Sequence, residues 1–210
     1  MRNRLAITYA VQGDLRFISH QDTLRLFIRA LARARVPVRH SEGFNPRPRI
    51  SIALPRPLGV ASMCEMLVLE LTADEEPAEV LSRLAGTMPN GIALLKAERL
   101  ADQDRRLPVE VQYALKLDSH VCRDVAAAAT EFMAKQSMVV ERVTPARPAP
   151  KKVDIRQFVL SIGVEDGVLL WSQAMTPEGT ARVGEVLDCL GLPSGDLLHR
   201  VLRKAISYRP

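Results

Sequence analysis

Apolar positions along the chain change period several times, and each change marks an element. Leu5, Ile7, Tyr9 and Val11 alternate with Arg4, Ala6, Thr8 and Ala10, the period of two expected of a half-buried strand. Gly13-Asp14 interrupts the alternation. Ser19, with Asp22 three residues on, has the form of a capping box, and Leu24, Phe27, Ile28 and Leu31 then recur at helical spacing. Val36 to His40 reads as a short second strand, and a long Pro- and Gly-bearing segment follows from Gly43 to Val60. A strand is expected over Cys64 to Leu71. A helix opens at Pro77 behind Asp74, Glu75 and Glu76 and runs through Val80, Leu81 and Leu84. Pro89-Asn90-Gly91 is a turn, and Ile92 to Glu98 is the next strand.

That order, β-α-β-β-α-β, is the ferredoxin-like arrangement, and the second half repeats it. Val109, Val111, Tyr113, Leu115 and Leu117 alternate; Ser119 is placed to cap a helix through Val125 and Phe132. Met138 to Val143 reads as a strand, Thr144 to Lys152 as a basic, Pro-rich loop, and Val153–Ile162 with Val168–Trp171 as a hairpin about Asp166-Gly167. Thr176-Pro177 opens a helix through Val183, Val186, Leu187 and Leu190 that Gly191 ends. Residues 197–208 fit a closing strand or a helix equally well. The expected fold is therefore α+β, two tandem ferredoxin-like halves over residues 1–100 and 109–210, joined by a charged linker over 99–108 that ends at Pro108.

Composition excludes several classes. At 210 residues, 47% hydrophobic and 25% charged, the chain is ordinary for a globular protein. No stretch approaches the ~20 apolar residues that cross a bilayer. Met1-Arg2-Asn3-Arg4 leads into the first strand without the apolar core of a signal peptide, so no membrane and a cytoplasmic location are expected. Cys64, Cys122 and Cys189 lie far apart in apolar surroundings and are expected to be buried free thiols. There is no Cys-x-x-Cys, no His-x-x-x-His, no Gly-x-x-x-x-Gly-Lys and no Gly-x-Gly-x-x-Gly, so neither a metal nor a cofactor is expected.

Charge is distributed unevenly. Residues 1–60 carry 11 Arg, no Lys and 3 acids, a net of +8, whereas the remaining 150 carry 18 basic and 21 acidic residues, a net of −3. Basicity is thus local and points to a site for an anionic partner. Arg also outnumbers Lys in the chain as a whole, 23 to 6, so the clustering carries more weight than the choice of Arg. Arg25, Arg29 and Arg33 form a stripe at i, i+4, i+8 on the face of the first helix away from Leu24 and Leu31. Pro46, Pro48, Pro55 and Pro57 favour extended backbone, which would hold Arg47, Arg49 and Arg56 outward at low entropic cost. Arg16, Arg25, Arg29, Arg47, Arg49 and Arg56 are the candidate phosphate-gripping residues. Phe17 or Phe44 would stack on a base, and Asn45 sits beside Phe44. His20 and His40 are the candidates for acid and base if the groove cleaves RNA, where a 2′-hydroxyl attacks its own phosphate.

The run Gly13-Asp14-Leu15-Arg16-Phe17-Ile18-Ser19-His20, then Ser41-Glu42-Gly43-Phe44-Asn45-Pro46-Arg47-Pro48, then Ala53-Leu54-Pro55 to Leu58-Gly59, resembles the signature of the radical-SAM-linked family, also called the domain of unknown function 2344. Lys151-Lys152-Val153-Asp154-Ile155-Arg156 resembles its second block. Members occur alone or joined to the C-terminus of radical SAM proteins. This chain lacks the Cys-x-x-x-Cys-x-x-Cys of the radical domain and so resembles the stand-alone form. With the arginine cluster, the expected function is a non-catalytic accessory protein that holds RNA or another anionic ligand; that it works with a separate radical SAM protein is what the resemblance implies. Two alternatives stay open: a protein-protein adaptor for such a partner, and a metal-independent ribonuclease. The latter rests on a fold analogy, since two ferredoxin-like lobes with a basic loop are similar to CRISPR repeat-processing endonucleases.

Overall fold

The computed structural model describes residues 3–144 and 147–209 and is a mixed α+β protein. It divides into two compact units, Met1–Pro108 with Tyr208–Pro210, and Val109–Ser207. Among the described residues, no helix is long and apolar enough to cross a membrane.

The first unit contains β1 (Asn3–Val11), α1 (His20–Arg33), β2 (Ile50–Ile52), β3 (Ala61–Leu71), α2 (Pro77–Ala85) and β4 (Ile92–Leu100). Strand order is β4-β1-β3-β2 with every pairing antiparallel, the ferredoxin-like order. Leu5, Ile7 and Tyr9 stand opposite Leu69, Leu67 and Glu65 on β3. Phe27, Ala30 and Leu31 of α1 and Val80 and Leu84 of α2 bury that face. The Tyr9 and Phe27 rings meet edge to face at 4.8 Å. The alternation in β1 predicted a strand buried on one side only. In the structure Ala6 and Ala10 are buried too, and Ala6 packs with Met66, Val68, Leu100, Ala53 and Tyr208 on the opposite face. Small alanines leave room for that second layer.

The second strand lies later than expected. Val38 and His40 make only isolated bridges, to Leu71 and Pro48, and the ladder on β3 begins at Ile50. Pro37 and Pro48 lack the N–H that a continuous ladder needs, so regular pairing starts after the last proline. The expected linker over residues 99–108 is shorter, because β4 runs through Leu100 and the next strand starts at Leu107. Between them the Arg4 guanidinium donates to the Asp104 carbonyl at 2.6 Å, and Arg106 pairs with Glu98 (2.8 Å) and Asp104 (2.9 Å).

The second unit contains most of β5 (Leu107–Lys116), α3 (Cys122–Ala134), β6 (Val139–Thr144), β7 (Arg147–Asp154), β8 (Val159–Glu165), β9 (Val168–Ala174), α4 (Val183–Cys189), α5 (Ser194–Leu197) and most of β10 (Val201–Arg209). Its sheet runs β10-β5-β9-β8, while β6 and β7 pair as a separate two-stranded ribbon. The loop expected over Thr144 to Lys152 is therefore largely strand; Pro145 and Ala146 lie outside the described residues. The ribbon is tied down by Arg142, whose Nε and Nη2 donate to the two Glu185 carboxylate oxygens at 2.6 and 2.7 Å and whose Nη2 also donates to the Thr180 carbonyl. Tyr113 stacks on Trp171 at 5.1 Å in the core.

Two helices start later than their caps suggested. α3 begins at Cys122 because Asp118, held by the Arg200 guanidinium at 3.0 Å, closes a turn onto Val121 instead of letting Ser119 cap. α4 begins at Val183 because Thr176 and Gly179 pair in a tight bridge. Residues 201–209 are strand. All three cysteines are free and half-buried rather than fully buried. Burial, then Asp188 and Glu185, push the Cys189 thiol up, which favours its protonated form.

Candidate functional site

The predicted site residues fall in three places, all in the first unit. The first is the outer face of α1. Ser19 caps this helix: its Oγ accepts from the Asp22 N–H at 3.1 Å and donates to the Asp22 carboxylate at 2.7 Å. With Phe27, Ala30 and Leu31 turned inward, the helical period puts Arg25, Arg29 and Arg33 outside. They line an open cleft of about 510 Å³ with Leu26 beside them and Thr87, Met88 and Pro89 across from them. Thr87 closes on α1 by donating its hydroxyl to the Ala30 carbonyl, and Arg33 donates to the Thr87 carbonyl at 2.9 Å. Arg25 pairs with Asp22 at 2.9 Å, and the Ser19 hydrogen bond, followed by Arg25, holds that carboxyl below its usual range. Arg29 makes no hydrogen bond or ion pair among the described residues. Three guanidiniums thus face one carboxylate along a groove open to solvent.

The second place is the Pro/Arg loop. Ser41 N–H donates to the Arg47 carbonyl at 2.8 Å, Arg47 N–H donates to Ser41 Oγ at 3.0 Å, and Arg49 N–H donates to the Arg39 carbonyl at 2.7 Å. These bonds close the loop at its base and leave Glu42, Gly43, Phe44, Asn45 and Arg47 exposed at its end. Phe44 is 107% exposed, more open than in a reference peptide. Arg49, expected to point outward, instead shares the nearly buried Glu70 with Arg39 at 3.3 and 3.2 Å. Glu70 and Arg39 escaped the sequence reading. A single Glu inside the apolar run Met66 to Leu71 is the signal that a partner had to exist.

The third place joins Gly13–His20 to Pro55–Val60. Arg56, also expected outward, is turned in: its guanidinium donates to the carbonyls of Arg16 (2.7 Å), Leu15 (3.1 Å) and Val60. Gly59 N–H donates to the Arg16 carbonyl at 2.8 Å. Phe17 lies against Gly59, and the Arg16 guanidinium sits 5.2 Å from the Phe17 ring centre. His20, at the first turn of α1, lines a small cavity with Tyr9, Thr23, Arg56 and Glu65. Glu65 is 1% exposed, opposite Tyr9 across the β1–β3 pair; the sequence reading did not single it out. His40 is exposed, its Nδ1 3.1 Å from the Val38 carbonyl, and does not line the cavity that holds His20. Among the described residues, no group of three or more His, Cys, Asp or Glu side chains is gathered as a metal site.

A family described as "Uncharacterized protein conserved in bacteria (DUF2344)" matches residues 4–185. No curated protein matches the chain. One solved structure that matches is the small subunit of acetolactate synthase from Thermotoga maritima, at 12% identity over 100% of this chain and 99% of that one, with a TM-score of 0.28. A likeness that weak carries no argument.

Proposed function

We propose that this chain, which belongs to the DUF2344 family of bacterial proteins, is a non-catalytic accessory protein that holds an anionic substrate, RNA foremost, for a separate radical SAM enzyme. The radical SAM partner is carried over from the resemblance of the Gly13–His20 and Ser41–Pro48 blocks. The anionic substrate is supported by the cleft on α1, in which Arg25, Arg29 and Arg33 face Asp22 alone. The stripe advances about 6 Å per arginine, four residues at 1.5 Å each, a step suited to successive phosphates of an extended strand. The Arg25–Asp22 pair is exposed, and such pairs add little to a fold, so a phosphate takes Asp22's place at little cost. On this reading the two units are two copies of one ferredoxin-like plan, the second carrying the β6–β7 ribbon as an insertion. A ribonuclease gains less support, because the His40 Nδ1 is taken up by the Val38 carbonyl and His40 does not line the small cavity that holds His20.

Salt dependence tests the reading. Log affinity for a single-stranded oligoribonucleotide should fall linearly with log salt, by about 0.7 per phosphate neutralised. Replacing Arg25, Arg29 and Arg33 together by Gln should make that slope shallower by roughly 2. Affinity that is absent, or present with an unchanged slope in the triple variant, refutes the cleft as the binding surface.

A further inference from the structure

We infer that the loop carrying Phe44 is a finger that stacks on an unpaired base, so that the RNA held by this protein is single-stranded where the finger meets it. The inference rests on the proposed RNA-binding function and names the form of the substrate. A single exposed apolar side chain is ordinary on a protein surface; the loop beneath this one is not. Its base is fixed by the Ser41–Arg47 and Arg39–Arg49 backbone bonds and by the bridge between His40 and Pro48. Arg39 N–H and Arg49 O are in turn bonded to Glu70 on β3 at 2.7 and 3.0 Å, which attaches the loop to the sheet. Pro46 and Pro48 remove backbone freedom inside the loop. Gly43 turns the chain at φ +127°, a conformation that side-chain-bearing residues rarely adopt, and Phe44 follows it directly.

The ring is therefore presented in advance, and ordering it on binding costs little. Its neighbours choose the occupant. A protein hot spot is an aromatic set in a ring of contacts that exclude water, and here the tip offers only Pro46 besides Phe44. A base needs a single π-face, with donors nearby for its edge and for phosphate, and Asn45 and Arg47, one and three residues after Phe44, are both exposed. Glu70, beneath the loop on β3, already accepts from Arg39 and Arg49. Phe17, the other aromatic near the basic segment, is half-covered by Gly59 and Arg16 and is not presented in this way.

The experiment compares the intact chain with Phe44→Ala and Phe44→Trp for binding to a fluorescent uridine oligomer, the same strand in duplex form, and a strand of abasic nucleotides. Phe44→Ala should weaken single-strand binding about 5- to 150-fold, the range for loss of one base–aromatic stack. Phe44→Trp should restore it, and duplex and abasic affinities should not move with residue 44. Because Phe44 touches no core, both variants should melt with the parent protein. Single-strand binding by the parent that Phe44→Ala leaves unchanged overturns the finger and leaves the arginine cleft standing. No RNA binding by the parent overturns both. A photo-crosslinking side chain at position 44 that forms its adduct with a polypeptide in cells, and none with RNA, overturns the finger in favour of a protein partner.

Discussion

Arg56 and Arg47 come from one stretch of alternating proline and arginine, yet they occupy opposite situations. Arg47 keeps its guanidinium exposed, whereas Arg56 gives its N–H groups to the carbonyls of Leu15, Arg16 and Val60. The composition that marked both as phosphate-gripping residues carries no information about carbonyls 40 residues away. Local pattern placed the α1 arginines outward, although the buried face is Thr23, Phe27, Ala30 and Leu31, and Ile28, expected inward, is exposed. Such pattern was insufficient for the loop, where partners such as Glu70 come from another strand. The two arginines should therefore respond differently to mutation. A lysine at position 56 has one compact ammonium and cannot match a planar fork across several carbonyls. Arg56→Lys should cost roughly 1–3 kcal/mol, at about 1 kcal/mol per lost hydrogen bond, read as a melting midpoint several degrees lower. The salt slope of RNA binding should stay as it was. A stable Arg56→Lys protein with a shallower slope would return Arg56 to the binding surface.

At the scale of elements, the signals that succeeded were chemical as well as periodic. Ser19 and Asp22 set the start of α1, Pro77 that of α2, and Pro89-Asn90-Gly91 the turn into β4, all as their residue types dictate. The failures come from residues that lack a donor and from partners supplied by another part of the chain. Pro37 and Pro48 withheld ladder donors from the expected second strand, and Arg200 drew Asp118 into a turn ahead of α3. The β6–β7 ribbon looked like a loop because prolines and lysines fill β7, and only its pairing with β6 and the Arg142–Glu185 contact make it a strand. The β4 turn offers a direct test. Gly91 has φ +98°, its carbonyl accepts from Gln12 N–H at 2.8 Å, and an added Cβ would stand 2.8 Å from the Gln12 carbonyl oxygen and 3.3 Å from the Leu15 side chain. Relieving the clash means shifting one of the two backbones that this bond joins. Gly91→Ala should destabilise the protein by about 2 kcal/mol or more, the sum of positive-φ strain and the clash, measured by denaturant unfolding. A loss below half that value would mean the turn relaxes freely.

For the whole molecule, charge sets the pH behaviour. Asp154 accepts from the Met138 and Arg156 backbone N–H groups at 2.9 and 3.0 Å, and the Met138 bond first holds its carboxyl below the usual range. Asp118 is held down by Arg200, Glu131 by Lys135, and Asp22 by Ser19 and then Arg25. A carboxyl whose pKa is lower folded than unfolded stabilises the fold in full above its unfolded value, and loses that contribution as pH falls through the folded one. The unfolded values are 3.8 for Asp and 4.5 for Glu, so the loss begins near pH 4.5 and deepens below 3.8. Protonating the 24 acids also leaves the 29 Lys and Arg unbalanced, and the self-repulsion of the first sixty residues, already at a net of +8, grows in the same window. The melting midpoint should therefore be nearly flat from pH 8 to pH 5 and fall steeply below about 4. Asp154→Asn should start from a lower midpoint and lose less on acidification, because one of the protons taken up on unfolding is gone. Added salt should soften the acid drop by screening the arginines. A midpoint already falling between pH 7 and 5.5, or an Asp154→Asn curve as steep as the parent's, would remove these carboxylates as the source of acid sensitivity.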